Sequence, residues 1–269
     1  WVCLRAWFGR QFLDLSYRCR VWVCGATGRY VHDAAGANRD AWFSWHANLG
    51  EKQKDSKMTA LKILQSRCGV TPDNSFGPKT ARAIADHFDL SDVRAAHLLG
   101  QSAHESGYFK HTEENLNYSE KALKSVFGRY FGDDKEDASQ YERRPQKIAN
   151  YVYMDKNRSK KGALGNVEEN DGWAFRGRGF LQCTGRANYR KFASKMRLPD
   201  VMKDPDLLST DYAFESAYWF FDRNKLFQIA DQGVNDDVIK QITKRVNGGY
   251  HGLDDRIEQT NKIYRWLHV

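Results

Sequence analysis

The chain has 269 residues, of which 41% are apolar and 28% charged, with a formal net charge of +8. No run of eighteen apolar residues occurs, so no transmembrane helix and no integral membrane association are expected. Residues 1–57 hold nine Lys/Arg against five Asp/Glu and the other 212 hold 33 against 29, so the longer part is only mildly basic and nucleic-acid binding is not expected.

The first 57 residues, beginning "WVCLRAWFGRQFLDLSYRCR", contain five of the eight tryptophans and three of the five cysteines. Charged residues interrupt every apolar run, so no signal-peptide core can be drawn there and no helical or strand period persists. In "EKQKDSK" the Lys-Asp codons can spell a ribosome-binding sequence just ahead of Met58. The expectation is that residues 1–57 are translated upstream sequence or an unstructured segment, with an aromatic-rich accessory module as the alternative. The cysteines, Cys3, Cys19, Cys24, Cys68 and Cys183, form no CxxC pair and are odd in number. They read as reduced thiols of a protein made in a cytoplasm, not as a zinc site or a disulfide framework.

Residues 58–90, "MTALKILQSRCGVTPDNSFGPKTARAIADHF…", read as a helix, a turn and a second helix starting near Pro78, where a missing N–H has no intrahelical partner to lose. The words "LQ…GV…FGPKT" resemble the second half of the helical peptidoglycan-binding repeat of cell-wall enzymes. A plain helical lead-in to the next domain is the alternative.

Ser91 is a good N-cap for "DVRAAHLLGQSAHES". Val93, Ala96, Leu99 and Ala103 share one helical stripe, and Gly107 stops the helix. Glu105 then sits in the last turn, where the helix C-terminus and partial burial both favour a protonated acid. Glu113 and Glu114 follow in a polar loop, expected to be wetter, where an ionised carboxylate can serve as a base. One acid held neutral and one base held charged is what glycosidic cleavage requires. Taken alone, glutamates at a helix end and in a loop are more often simply solvated. A zinc reading fails, because His104-Glu105 is followed by Tyr108 where HExxH needs histidine. His97, His104 and His111 are read as structural or solvated, and no metal or cofactor is expected.

The segment "DGWAFRGRGFLQCTGRANYRKF" (171–192) reads as glycine-flanked and extended. Period-two alternation puts Phe180, Gln182 and Thr184 on one face and Leu181 and Cys183 on the other. Asn188 and Tyr189 follow in the first turn of the next helix, and both are expected to contact substrate. Neutral hydrogen-bonding groups beside aromatic surface suit a cleft for N-acetylated sugars; a hairpin without a ligand is the rival. Downstream, "AFESAYWFF" reads as a core helix along Ala213, Ala217 and Phe220, with Glu215 a structural partner. The last 35 residues read as two helices broken at Asn247-Gly248-Gly249.

Together "HES", "ENLNYS", "IANYVY", "GRGFLQCTGRANY" and "VNGG…DDR" resemble glycoside hydrolase family 19, in particular its phage endolysins, in order from about residue 80 to 269. The resemblance implies a mainly α, lysozyme-like, two-lobed helical domain with a small β-element beside the cleft. It implies Glu105 as general acid, Glu114 as general base and Thr184 as the residue that helps hold the attacking water. Gln182, Asn188 and Asn247 match sugar-contacting positions, and Arg256 matches an arginine that supports the cleft. Departures are Cys183, in place of an aliphatic residue, and the charged insertion "MDKNRSKKGALGNVEEN". The implied reaction is inverting hydrolysis, with carboxyls roughly 6.5–9.5 Å apart. Implied too are a peptidoglycan substrate, a monomer made in a host bacterial cytoplasm, and a holin-type partner for access to the wall. Chitinase, lytic transglycosylase and a non-catalytic wall-binding protein are the alternatives.

Overall fold

The computed structural model describes residues 58–268; the expectation for residues 1–57 lies outside these. The helices in chain order are α1 (Ala60–Arg67), α2 (Pro78–His87), α3 (Asp92–Glu105), α4 (Glu120–Val126), α5 (Gly128–Phe131) and α6 (Pro145–Val152), then α7 (Asp171–Ala174), α8 (Arg186–Met196), α9 (Ala213–Arg223), α10 (Leu226–Ala230), α11 (Asp236–Asn247) and α12 (Leu253–Leu267). Short 3₁₀ turns join several of them. Among the described residues, β-structure is limited to two isolated antiparallel bridges, Glu113 with Arg178 and Arg178 with Cys183. The fold is mainly helical, as the resemblance implied.

α3 is the central element. Ser91 caps it by accepting the Arg94 N–H at 3.3 Å. Its end is a closed turn: Gly107 takes a φ of +56°, its N–H bonds His104 O, and the Tyr108 N–H bonds Ala103 O at 2.7 Å. The apolar stripe understates its burial. Every residue from Ala95 to Ala103 is buried, including His97, Gln101 and Ser102, whereas Val93 is only half-buried. Neighbours cover α3 all round: Thr243 on α11 accepts from Gln101 at 3.1 Å and His97 Nε2 bonds Gly233 O at 3.1 Å, while Ser102 Oγ and His97 Nδ1 are buried without a hydrogen-bond partner among the described residues. α12 packs so closely on it that a Cβ at Gly100 would lie 2.3 Å from Thr260 Oγ1 and 2.9 Å from Thr260 Cα.

α1 is joined to the rest by a buried ion pair between Arg67 and Glu215 on α9. Glu215 is thus the structural partner the sequence suggested. On α9 the core positions are Ala213, Ala217 and Phe221, because the four-residue step carries the stripe to 221 and leaves Phe220 half-buried. Residues 116–152 close a separate, smaller core built on Leu116, Leu123, Phe131, Ile148, Ala149 and Val152, which forms the second lobe. Cys68 and Cys183 are free thiols, and burial pushes each up to about 12, so neither is a thiolate at neutral pH.

The charged insertion is pinned at its base. Asp155 accepts the Leu164 and Gly165 N–H groups at 2.7 and 2.9 Å, and Arg158 donates to Val152 O and Gly162 O. No helix among the described residues is long and apolar enough to cross a membrane.

Candidate active site

Two carboxylate assemblies stand out. The first is built where α3 ends and α12 begins. Glu105 is the last residue of α3, its side chain a quarter exposed. Arg256, in the first turns of α12 and fully buried, bonds it through Nη2 while Nη1 donates to Gln101 Oε1 at 2.5 Å and Nε to His251 O at 3.1 Å. The guanidinium fork therefore ties the acid, a buried amide one turn earlier, and the backbone ahead of α12 to one plane. One residue away, His104 and Asp255 make a parallel cross-link at 2.5 Å, with the Tyr108 hydroxyl on the other Asp255 oxygen. These two rungs fix α3 against α12 where the geometry has to be tight.

The second assembly centres on Glu114. Its N–H donates to Gly177 O at 3.1 Å, and its carboxylate accepts the Gly177 N–H and the Tyr153 hydroxyl, both at 2.5 Å. Backbone pairing of residues 112–114 with 177–179 sets this, since the Gly179 N–H also bonds Thr112 O. Glu114 is less wet than a polar loop suggests. Burial pushes its carboxyl above the ordinary glutamate value, and the Tyr153 and Gly177 bonds, with Arg176 and Arg178 nearby, offset only part of that.

Glu113 has a different environment. It accepts from Arg176 at 3.0 Å and lies 3.5 Å from Arg178 Nε. Burial pushes its carboxyl up, but the Arg176 bond, with help from Ser209 and Arg178, holds it below the usual range. Its charge is committed to this arginine pair.

The segment after Gly177 is a tight hairpin rather than the extended run that alternation suggests. Arg178 and Cys183 exchange both backbone bonds, and Gly179 and Gln182 take φ of +85° and +47° to close the four-residue loop between them. A turn has no period of two, so Phe180 leaves the Gln182 face and buries against Phe109, 5.0 Å between ring centres. Gln182 and Thr184 still converge. A Cβ placed on Gly177 would lie 2.7 Å from Gln182 Oε1 and 3.2 Å from both Glu114 Oε1 and Thr184 Oγ1. Only a residue without a side chain lets a carboxylate, an amide and a hydroxyl converge this closely on the backbone.

The remaining candidates fall around this centre unevenly. Asn188 is half-buried, its amide bonded to Thr184 O and its oxygen accepting from Arg223, both at 2.8 Å. Tyr189 is fully buried, its hydroxyl donating to Arg176 O and accepting from Arg178. It braces the hairpin from behind and presents no surface to a ligand, contrary to its place among the expected substrate contacts; one turn into α8, it points inward. Asn247 is exposed at the end of α11 beside Gly248 in the left-handed conformation. Tyr153 carries a role that residue-type reasoning missed, although it closes the word "IANYVY". Nothing in a Tyr two residues beyond another Tyr shows which one meets the loop of Glu114. Among the described residues, no group of three or more His, Cys, Asp or Glu is placed to hold a metal ion.

The sequence comparisons bear on this arrangement. No family model matches the chain. A glycosyl hydrolase family 19 domain-containing protein of Haemophilus influenzae is 36% identical over 182 residues, which cover 67% of this chain and 81% of that protein. The chain belongs to glycoside hydrolase family 19. It is accordingly a glycoside hydrolase, and the two carboxylate assemblies of this family 19 enzyme are read in that light.

Proposed function

We propose that this family 19 hydrolase is an endolysin that cleaves the β-1,4 bonds of bacterial peptidoglycan in a single inverting step. Glu105 gives its proton to the leaving oxygen, and Arg256 stabilises the carboxylate that remains. Glu114 takes the proton of a water held with Thr184 over Gly177, on the opposite face of the sugar. The observation that carries this reading is the convergence of Glu114, Thr184 and Gln182 on Gly177. A base whose carboxyl is lifted by burial sits nearer to working pH and is the stronger proton acceptor for it. Gln182, Asn188 and Asn247 contact the N-acetylated sugars.

Peptidoglycan is favoured over chitin by "ENLNYS", by the helical pair α1–α2 with its wall-repeat wording, and by the basic balance of the chain. In this reading the enzyme acts as a monomer, is made in the host bacterium and reaches the wall through a holin-type partner. The test is mass spectrometry of peptidoglycan digested by the parent and by Glu105→Gln. New reducing ends from the parent alone support the proposal. Anhydromuramyl ends make it a transglycosylase, soluble chitin oligomers as the sole substrate make it a chitinase, and wall binding without products makes it a binding protein.

A further inference from the structure

Outside these assemblies lies an open groove of about 660 Å³ on the smaller lobe, along α6 and the start of the charged insertion. Its size is that of a site for a sugar-sized ligand. Arg144, Lys147 and Lys156 line it, and no acidic residue does. All three cations are exposed, and among the described residues Arg144 and Lys156 are in no ion pair with a carboxylate. The wall between them is aromatic. Tyr141 and Tyr151 pack with ring centres 5.1 Å apart, and Lys147 Nζ is held 4.3 Å over the Tyr141 ring. The Tyr141 hydroxyl donates to Glu136 at 3.3 Å and Lys147 also donates to Gln140 O at 3.0 Å. The two cations left without a partner carboxylate or carbonyl among the described residues are therefore Arg144 and Lys156, beside the tyrosine wall, and such a pair suits an anion attached to something flat and partly apolar.

The groove is mechanically tied to the base. Asn150, on its wall, accepts the Trp173 N–H at 2.7 Å, and four residues after Trp173 comes Gly177, which bonds Glu114. Tyr153, only two residues beyond Tyr151, bonds Glu114 from the other side. Residues i and i+2 of a helix leave it on opposite faces, so the groove lies across the end of α6 from Glu114, about one helix diameter (roughly 10 Å) away, a span that a glycan strand with its peptide stem can bridge.

We infer that this groove is a subsite for a carboxylate carried by the glycan, and so the element that distinguishes anionic peptidoglycan from neutral chitin; this rests on the substrate reading above. Two sources share the chemistry: the lactyl carboxylate of the muramic sugar and the carboxylates of its peptide stem. The test titrates the full chain carrying Glu105→Gln with N-acetylmuramyl dipeptide, N-acetylmuramic acid and the neutral trimer of N-acetylglucosamine, followed by calorimetry. Adding Arg144→Gln and Lys156→Gln should weaken the dipeptide about fivefold, as expected for two exposed charge contacts, and leave the neutral trimer unchanged. Arg144→Lys with Lys156→Arg should restore the affinity. Equal weakening of N-acetylmuramic acid assigns the lactyl group, and weakening of the dipeptide alone assigns the stem. Unchanged dipeptide affinity, no binding of it by the parent, or parallel loss of the neutral trimer overturns the inference. Because binding needs no turnover, a chain that digests only chitin while holding the dipeptide in this groove refutes the substrate reading and not the subsite.

Discussion

Replacing Tyr153 by Phe removes one hydroxyl and little volume, so it isolates a single hydrogen bond to the proposed base. That bond is 2.5 Å long, donated to Glu114 Oε2 from a half-buried ring. Hydrogen bonds to charged groups contribute about 1.5–3 kcal/mol, but this one exists in the free enzyme, so only its share in holding the carboxylate in line for the transition state appears in kcat/KM, a loss of roughly tenfold. A second effect has a definite sign. Glu114 must be ionised to act, burial already places its carboxyl above the ordinary value, and the Tyr153 donor pulls it down. Without the donor it rises further, so the acid limb of the kcat/KM profile moves to higher pH. The assay is kcat/KM on a soluble glycan fragment between about pH 3 and pH 8, the span of a shifted carboxylate. Tyr153→Phe should lose more activity at pH 5 than at pH 8. An unmoved limb, or one moved to lower pH, refutes the assignment of Glu114 as base.

The same burial gives a stability signature. A carboxyl raised in the folded state contributes stability that is fully present below its unfolded value and lost as pH rises through the folded one. Glu114→Gln should therefore gain on the parent in thermal unfolding as pH rises from 3 to 7 (about the span of a raised glutamate), while activity falls by about two to four orders of magnitude; a gain confined to low pH contradicts this. Arg256→Lys keeps the charge but not the fork that joins Glu105, Gln101 and His251, so kcat should drop about tenfold or more with the fold intact by circular dichroism, and unaltered kcat would show that orientation is not its role. Gly100→Val forces a side chain into Thr260 and should cost about 1–3 kcal/mol in urea unfolding; parent-like stability would mean that α3 and α12 separate easily. Glu215→Ala breaks a buried ion pair and should cost about 3 kcal/mol, with proteolysis then starting in α1; a parent-like digest would make α1 an independent lead-in.

Most of the helices, and the placing of Glu105, were legible because they rest on local physics. Ser91 caps, Pro78 starts, Gly107 and Gly248 stop, and each acts within a few residues of itself. Three features were not legible. The hairpin at Gly179–Gln182 defeats the reading of alternation, since Gln182 takes a positive φ that its residue type does not announce. The enclosure of Glu114 comes from Tyr153 and Gly177, 39 and 63 positions away. Tyr189 looks like a cleft residue by composition but turns inward, because Arg176 and Arg178 supply partners for its hydroxyl behind the hairpin. Each concerns a contact between distant segments, which the pattern along one segment does not contain.

The most direct test of the two-carboxylate account is the anomeric form of the first product. Proton NMR is followed from the moment enzyme is mixed with a β-1,4-linked N-acetylhexosamine oligomer that it cleaves. Water attacking from the face opposite the leaving group must release the α-anomer, which then mutarotates. The β-anomer appearing first would mean retention, and Glu114 acting as a base on water from the far side of the sugar would have to be abandoned.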